Sequence, residues 1–345
     1  MKNIAKNIID KSLKIKAGEF LFLEGDGRGV LLADKINELA KQKKIEVYYR
    51  RNDGYEFWKN CTEKTAEQRT AHDENLMSLA QCYVSVKDCE QFNLIGTKRR
   101  LYQDFTIRVH NNIRLKKRWL VTQIPSGELS KQTGISLENL EKTYVQSAGM
   151  NYDLISPQMK KMAQKMSVAD KVKIVSPNTN LEFSIKKVPV VICMGECNLP
   201  DGEVYTAPIK NSINGTVAFN APSPMFGVLH KNIVLTIKNG KIVNAKSSNT
   251  KAFEKVLATD AGSCFFGEFA LGFNPNLTIP FGNILFDEKI GGSFHMAIGN
   301  SYDDAPNENK SAVHWDLVQI QTPNFGGGEI YFDNKLIRKD GVDVD

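Results

Sequence analysis

No stretch of this 345-residue chain approaches the ~18 consecutive apolar residues of a membrane-crossing helix. The amino-terminal MKNIAKNIIDKSLKIKAGEF alternates Lys with Ile and Leu and has no apolar signal core, so a cytoplasmic protein is expected. Cysteine is scarce and dispersed. Cys61, Cys82, Cys89, Cys193, Cys197 and Cys264 form no Cys-x-x-Cys pair. Cys193 and Cys197 are four apart, but no second pair or nearby His completes a zinc site. Reduced thiols in apolar surroundings are expected in place of a disulfide framework. Neither sign of charge is in large excess. The net charge is +6, and the basic clusters KRR near Arg100 and KKRW near Trp119 lack the interleaved aromatics of a base-stacking platform. Nucleic acid is therefore not the expected partner. No internal repeat or low-complexity segment is present.

With 41% hydrophobic and 24% charged residues, the chain has enough apolar material for a sizeable core. Its length exceeds the ~250–300 residues at which single cores stop growing, so two domains are expected. In residues 1–154, helical and strand signals alternate. Ile4 to Leu13 and Val30 to Lys44 carry apolar residues at helical spacing, while FLFLEGDG, IEVYYRRN, QCYVSVKD and RWLVTQIPS read as short strands. Helices between strands imply crossovers, hence an α/β domain with a mainly parallel sheet. The glycines of GDGRG alternate and do not have dinucleotide-loop spacing, so a plain strand-to-helix turn is expected there. PQMKKMAQKMSVAD reads as a connecting helix whose Met159, Met162 and Met166 pack at a seam. From 155 to 345 the pattern becomes strand-rich α+β, with a hairpin at Asn239-Gly240, a second in EIYFDNKLIRKDG, and one helix from Thr250 to Thr259.

Histidine is rare as well, and its placement is informative. Of five histidines, His295 and His314 lie among acidic residues. His314 and Asp316 are two apart in a strand-like segment, so both side chains leave one face. Imidazole beside carboxylate is a metal-ligand arrangement, and further carboxylates occur nearby in glycine-punctuated turns, Glu203 in NLPDGEVYTAP and Glu268 in FFGEFALG. A two-metal hydrolase needs such groups to fix two ions, which polarise the scissile carbonyl and acidify a water. Glu203, Glu268, His295, His314 and Asp316 are candidates for that shell. Three carboxylates with two imidazoles suit zinc, cobalt or manganese better than calcium. Each also has an ordinary alternative. A Glu after a Pro-Asp-Gly turn is usually solvated, a buried Glu between Gly267 and FALG can sit in an ion pair, and a His in SFHMAIG can be a satisfied core residue.

The motifs NLPDGEVYTAP, GEFALG, FDE followed by SFHMAIGNSY, and SAVHWDLV resemble the thermophilic metalloaminopeptidases of the aminopeptidase T and aminopeptidase S type. The resemblance runs in order through the carboxy-terminal domain and more weakly through KAGEFLFLEGD. It implies that Glu203, Glu268, His295, His314 and Asp316 match the metal ligands. It also implies that Glu288 matches a carboxylate that is a candidate general base, and Tyr302 a tyrosine that stabilises the transition state. Two divalent ions, peptide substrates and a homodimer are implied with them. The chain departs from the pattern in a short polar loop, DDAPNENKSAV, after Tyr302, and in KIGGSF, which is longer than usual, before His295. A two-metal amidohydrolase acting on a small amide, or a binding protein that has kept the fold without turnover, are the alternatives.

Overall fold

The computed structural model describes residues 1–51, 54–89, 94 and 96–344. The chain folds as two units, the first formed by residues 1–150 with 195–200, the second by 151–194 with 201–345.

In the first unit the four predicted short strands, joined by a fifth that was not predicted, form a five-stranded sheet. Its order is Glu46–Arg51, Phe20–Gly25, Cys82–Asp88, Arg118–Ile124 and Asn198–Leu199, and every pairing is parallel. Parallel neighbours need crossovers, and helices such as Val30–Gln42 supply them, burying Val30, Leu32, Ala33, Ile36 and Ala40. The GDGRG segment is the expected turn: Asp26 accepts the Gly27 N–H and a 3-10 turn leads into the helix. Gly29 is needed because a Cβ there would stand 2.2 Å from the Val86 carbonyl oxygen.

The second unit is built from antiparallel strands. One sheet has eight strands and a second has five, in the order His314–Ile320, Ser293–Gly299, Phe266–Gly272, Glu203–Thr206 and Val191–Cys193. Both predicted hairpins form. Asn239 and Gly240 have φ of 49° and 80°, and Asp333 and Asn334 have 48° and 66°, the left-handed pair that a two-residue hairpin turn requires. The helix Ser156–Val168 buries Met159, Met162 and Met166, and a second helix spans Thr250–Leu257. Among the described residues no helix is long and apolar enough to cross a membrane.

Alternation along the five-stranded sheet decides what each face carries. One face contributes Phe269 and Phe294, whose rings meet Phe183 and Phe219 of the eight-stranded sheet at 5.0 and 6.3 Å. The other face carries Glu203, Glu268, His295, His314 and Asp316. Small residues separate them: Ala270 lies beside His295, Ala297 between Glu268 and Asp316, Gly272 beside Glu203 and Gly299 beside His314. These positions leave room above the sheet for long polar side chains.

The ladder between Phe266–Gly272 and Ser293–Gly299 shifts register between Phe266 and Glu268, a bulge that sets the direction of the Glu268 side chain. Gly267 allows it, since a Cβ there would fall 2.3 Å from the Asn300 carbonyl oxygen. Gly267→Ala should therefore destabilise the protein by about 1–3 kcal/mol in urea unfolding, the usual range for forcing extra volume into a packed site. Gly127→Ala, where a Cβ meets nothing within 4 Å, serves as control and should change little. Equal effects at the two glycines would contradict this account of the bulge.

Candidate metal centre

Four antiparallel strands bring the five predicted ligands onto one patch. His295 is central: its Nε2 lies 3.3 Å from Glu268 Oε1, 3.4 Å from Glu203 Oε2 and 4.0 Å from Asp316 Oδ1. His314 Nε2 lies 3.4 Å from Glu268 Oε2 and 3.7 Å from Asp316 Oδ1. Glu268 thus turns one oxygen to each imidazole, and Asp316 Oδ1 faces both. Glu288, which ends the one-turn helix Ile284–Asp287, brings a carboxylate oxygen within 4.8 Å of ligand atoms of His295 and Asp316. All three carboxylates of the predicted shell are buried, so Glu203 is not the solvated residue that its turn alone suggests. Tyr302 stands at the edge, 44% exposed, its ring 4.5 Å from His314 and 5.7 Å from Tyr205.

The donor set fits a divalent cation. Two ligands held at about 2.1 Å from one ion in tetrahedral geometry are about 3.4 Å apart, which matches the closer spacings here. Two buried atoms that face the cluster, Glu203 Oε2 and His314 Nε2, are also left without hydrogen-bond partners. Buried polar atoms without partners are rare in folded proteins, and two in one cluster point to a ligand. His314 Nδ1 lies 2.9 Å from the Asn300 carbonyl oxygen. Donation of its N–H there places the Nε2 lone pair toward Glu268 and Asp316, the outer hydrogen bond typical of a metal-binding imidazole.

Burial and mutual charge govern the titration of these groups. Burial opposes charge on Asp316 and raises it to about 7, although the imidazoles beside it pull the other way. Burial likewise raises Glu203. Burial would lower the histidines, but Glu268, Glu203 and Asp316 raise His295 to about 9, while Asp316 and Glu268 raise His314 to about 10. For Glu268 and Asp316 the imidazoles are the main counter-charges, while for Glu203 the Lys289 ammonium comes first. Loss of solvation and the same carboxylates hold the Tyr302 phenol well above its ordinary value. The residue is partly exposed, and the field of the nearby carboxylates keeps the phenol a proton donor.

Several groups at the centre are absent from the sequence reading. Lys289 is 1% exposed, and its Nζ lies 2.6 Å from Glu203 Oε1 and 2.8 Å from Glu288 Oε1. A Lys after Asp-Glu reads as a solvated charge, and nothing in its spacing marks it as buried. Asp287 accepts N–H groups from Phe281 and Gly282, which anchors the turn that delivers Glu288. Tyr205 donates its hydroxyl to Asp304 at 2.8 Å. The loop after Tyr302 is braced from within: Asn307 donates to the carbonyls of Pro208 and Phe266, and Asn309 to those of Gly262 and Gly299. Cys193 pairs in register with Glu203, and burial holds its thiol well above its ordinary value. No disulfide links the six cysteines. Cys197, however, is exposed, contrary to the expected apolar setting, because it precedes the edge strand Asn198–Leu199.

Because Glu268 faces both imidazoles, Glu268→Gln should weaken zinc binding beyond the ~10–100-fold that loss of an outer partner of a ligand typically brings. Circular dichroism in chelator should match that of the unaltered protein. Unchanged zinc affinity by calorimetry would remove Glu268 from the centre.

Comparison with known proteins bears on the fold and the family. Aminopeptidase AmpS of Bacillus subtilis is 38% identical over 110 residues, 30% of this chain and 26% of that protein. Aminopeptidase 2 of Geobacillus stearothermophilus is 33% identical over 110 residues, again 30% and 26%. Aminopeptidase T of Thermus thermophilus is 31% identical over 112 residues, 31% of this chain and 27% of that protein. The chain thus matches these relatives over about a quarter of their length. The solved structure of wild-type AmpT from Thermus thermophilus superposes with a TM-score of 0.77 at 16% identity, over 100% of this chain and 98% of that one, which establishes a shared fold. The sequence model of the thermophilic metalloprotease (M29) family matches residues 1–327. The chain belongs to the thermophilic metalloprotease (M29) family.

Proposed function

We propose that this protein is a metal-dependent aminopeptidase that releases amino-terminal residues from peptides at a centre of two divalent ions. The observation that carries the reading is Glu268, buried between two imidazoles with one oxygen toward each, and Asp316 Oδ1 facing both. Glu203, Glu268, His295, His314 and Asp316 would hold the ions. Zinc, cobalt and manganese suit these ligands, and when bound they supply Lewis acidity toward the scissile carbonyl and an acidified water.

The remaining steps belong to the chain itself. Glu288 is next to His295 and Asp316 but has one oxygen engaged by Lys289, which leaves the other to accept a proton from the attacking water and return it to the leaving amine. Tyr302 donates its phenol proton in a hydrogen bond to the oxygen on which negative charge develops. That interaction is stronger in the transition state than in the bound substrate. Stacking on His314 holds the ring near the centre, and the braced 303–312 loop fixes its backbone. The six cysteines without disulfides support a reducing, cytoplasmic setting, and the expected assembly is a homodimer.

Two measurements test this reading. Hydrolysis of Leu-p-nitroanilide should be abolished by chelation and return when zinc, cobalt or manganese is added back, with circular dichroism unchanged throughout. Full activity in excess chelator would refute it. Tyr302→Phe should keep the metal content and lower kcat by roughly 10²–10³, the range for one oxyanion donor. Metal loss in this variant would instead make Tyr302 a structural or ligand residue.

A further inference from the structure

Lys289 has no part in the chemistry above, yet it is placed as though the centre depends on it. Lysine is almost never fully buried unless paired, and this one is paired several times. Its Nζ lies 2.6 Å from Glu203 Oε1, 2.8 Å from Glu288 Oε1 and 3.6 Å from Asp201 Oδ1. An ammonium has three donors and no lone pair, so it cannot itself ligate a metal.

The contact divides the Glu203 carboxylate between two tasks. Oε1 is held by the ammonium, while Oε2 is buried, without a hydrogen-bond partner, and 3.4 Å from His295 Nε2. An ammonium on Oε1 competes with an ion for that oxygen and leaves Oε2 the better donor. Glu288 is fixed by one oxygen in the same way, and its helix is tied back through Asp287 to the Phe281 and Gly282 N–H groups. Without the ammonium, Glu203 and Glu288 would be two buried like charges that have lost the cation shared between them.

We propose that Lys289 is the positioning residue of the metal centre: its ammonium grips Glu203 and Glu288 by one oxygen each, so that Glu203 meets a divalent ion through Oε2 alone. This rests on the two-ion reading above. It follows that loss of Lys289 frees Glu203 to turn both oxygens toward the ion or to swing away from it. Either change alters the coordination, and the loss of a fixed ligand position weakens the hold on the ion beside His295.

The test is cobalt binding to the full chain by equilibrium dialysis, together with the visible spectrum of the bound cobalt. In Lys289→Met one of the two ions should bind roughly 10–100-fold more weakly, the usual effect of losing an outer partner of a ligand. The visible band should change in shape and intensity, because cobalt absorption follows coordination number, while far-ultraviolet circular dichroism stays as in the unaltered protein. If the single variant fails to fold, Lys289→Met combined with Asp201→Asn removes one cation and one anion together, and the same loss of cobalt is expected. A folded variant with unaltered affinity and spectrum, or with tighter binding, overturns the positioning role and leaves the two-ion reading standing. Failure of the unaltered protein to bind cobalt overturns that reading and this inference with it.

Discussion

Charge buried on one face of an antiparallel sheet is the constraint on which the second unit is built. Glu203, Glu268, Glu288 and Asp316 are all buried, and against them stand one ammonium and two imidazoles. An isolated buried carboxylate is held in its charged form only at large free-energy cost, so such a group persists only where cations or hydrogen bonds answer it. Lys289 lies against Glu203 and Glu288, and the imidazoles lie against Glu203, Glu268 and Asp316. When the imidazoles give up their protons to act as ligands, one ammonium cannot balance four carboxylates, and divalent cations would supply the missing charge.

The surrounding structure serves that cluster in separable ways. Ala270, Ala297, Gly272 and Gly299 keep the sheet surface low beside the functional residues. The Gly267 bulge directs Glu268 between the imidazoles, and the Asn300 carbonyl fixes the ring of His314. Behind the sheet, Phe269 and Phe294 pack on Phe183 and Phe219, so the strands that carry the ligands are held from the apolar side. Rigid strands suit this task better than loops, because ligand spacing must hold to a fraction of an ångström. Tyr302 is the exception. It stands on a loop, but that loop is pinned by Asn307 and Asn309 to four backbone carbonyls.

Much of this was legible in the sequence where a local rule was strong. Asn239-Gly240 and Asp333-Asn334 announce their hairpins, and the spacing of His314 and Asp316 places both on one strand face. Alternating helix and strand signals announce the parallel sheet. What was not legible depends on long-range packing. Residues 195–200 return to the first unit and add a strand to its sheet, and no composition change marks that excursion. Lys289 becomes intelligible only when Glu203, distant in sequence, is folded against it. The Gly267 bulge likewise needs the partner strand to be seen, since a single glycine in an apolar run has several meanings.

The central claim is that this sheet face holds two divalent ions with Glu268 between them. Anomalous diffraction from crystals grown with zinc tests it most directly. The account predicts two peaks on either side of the Glu268 carboxylate, roughly 3.5–4 Å apart, one toward Glu203 and His295 and the other toward His314 and Asp316. A cluster free of anomalous signal at saturating zinc, or peaks only at surface residues, would contradict it.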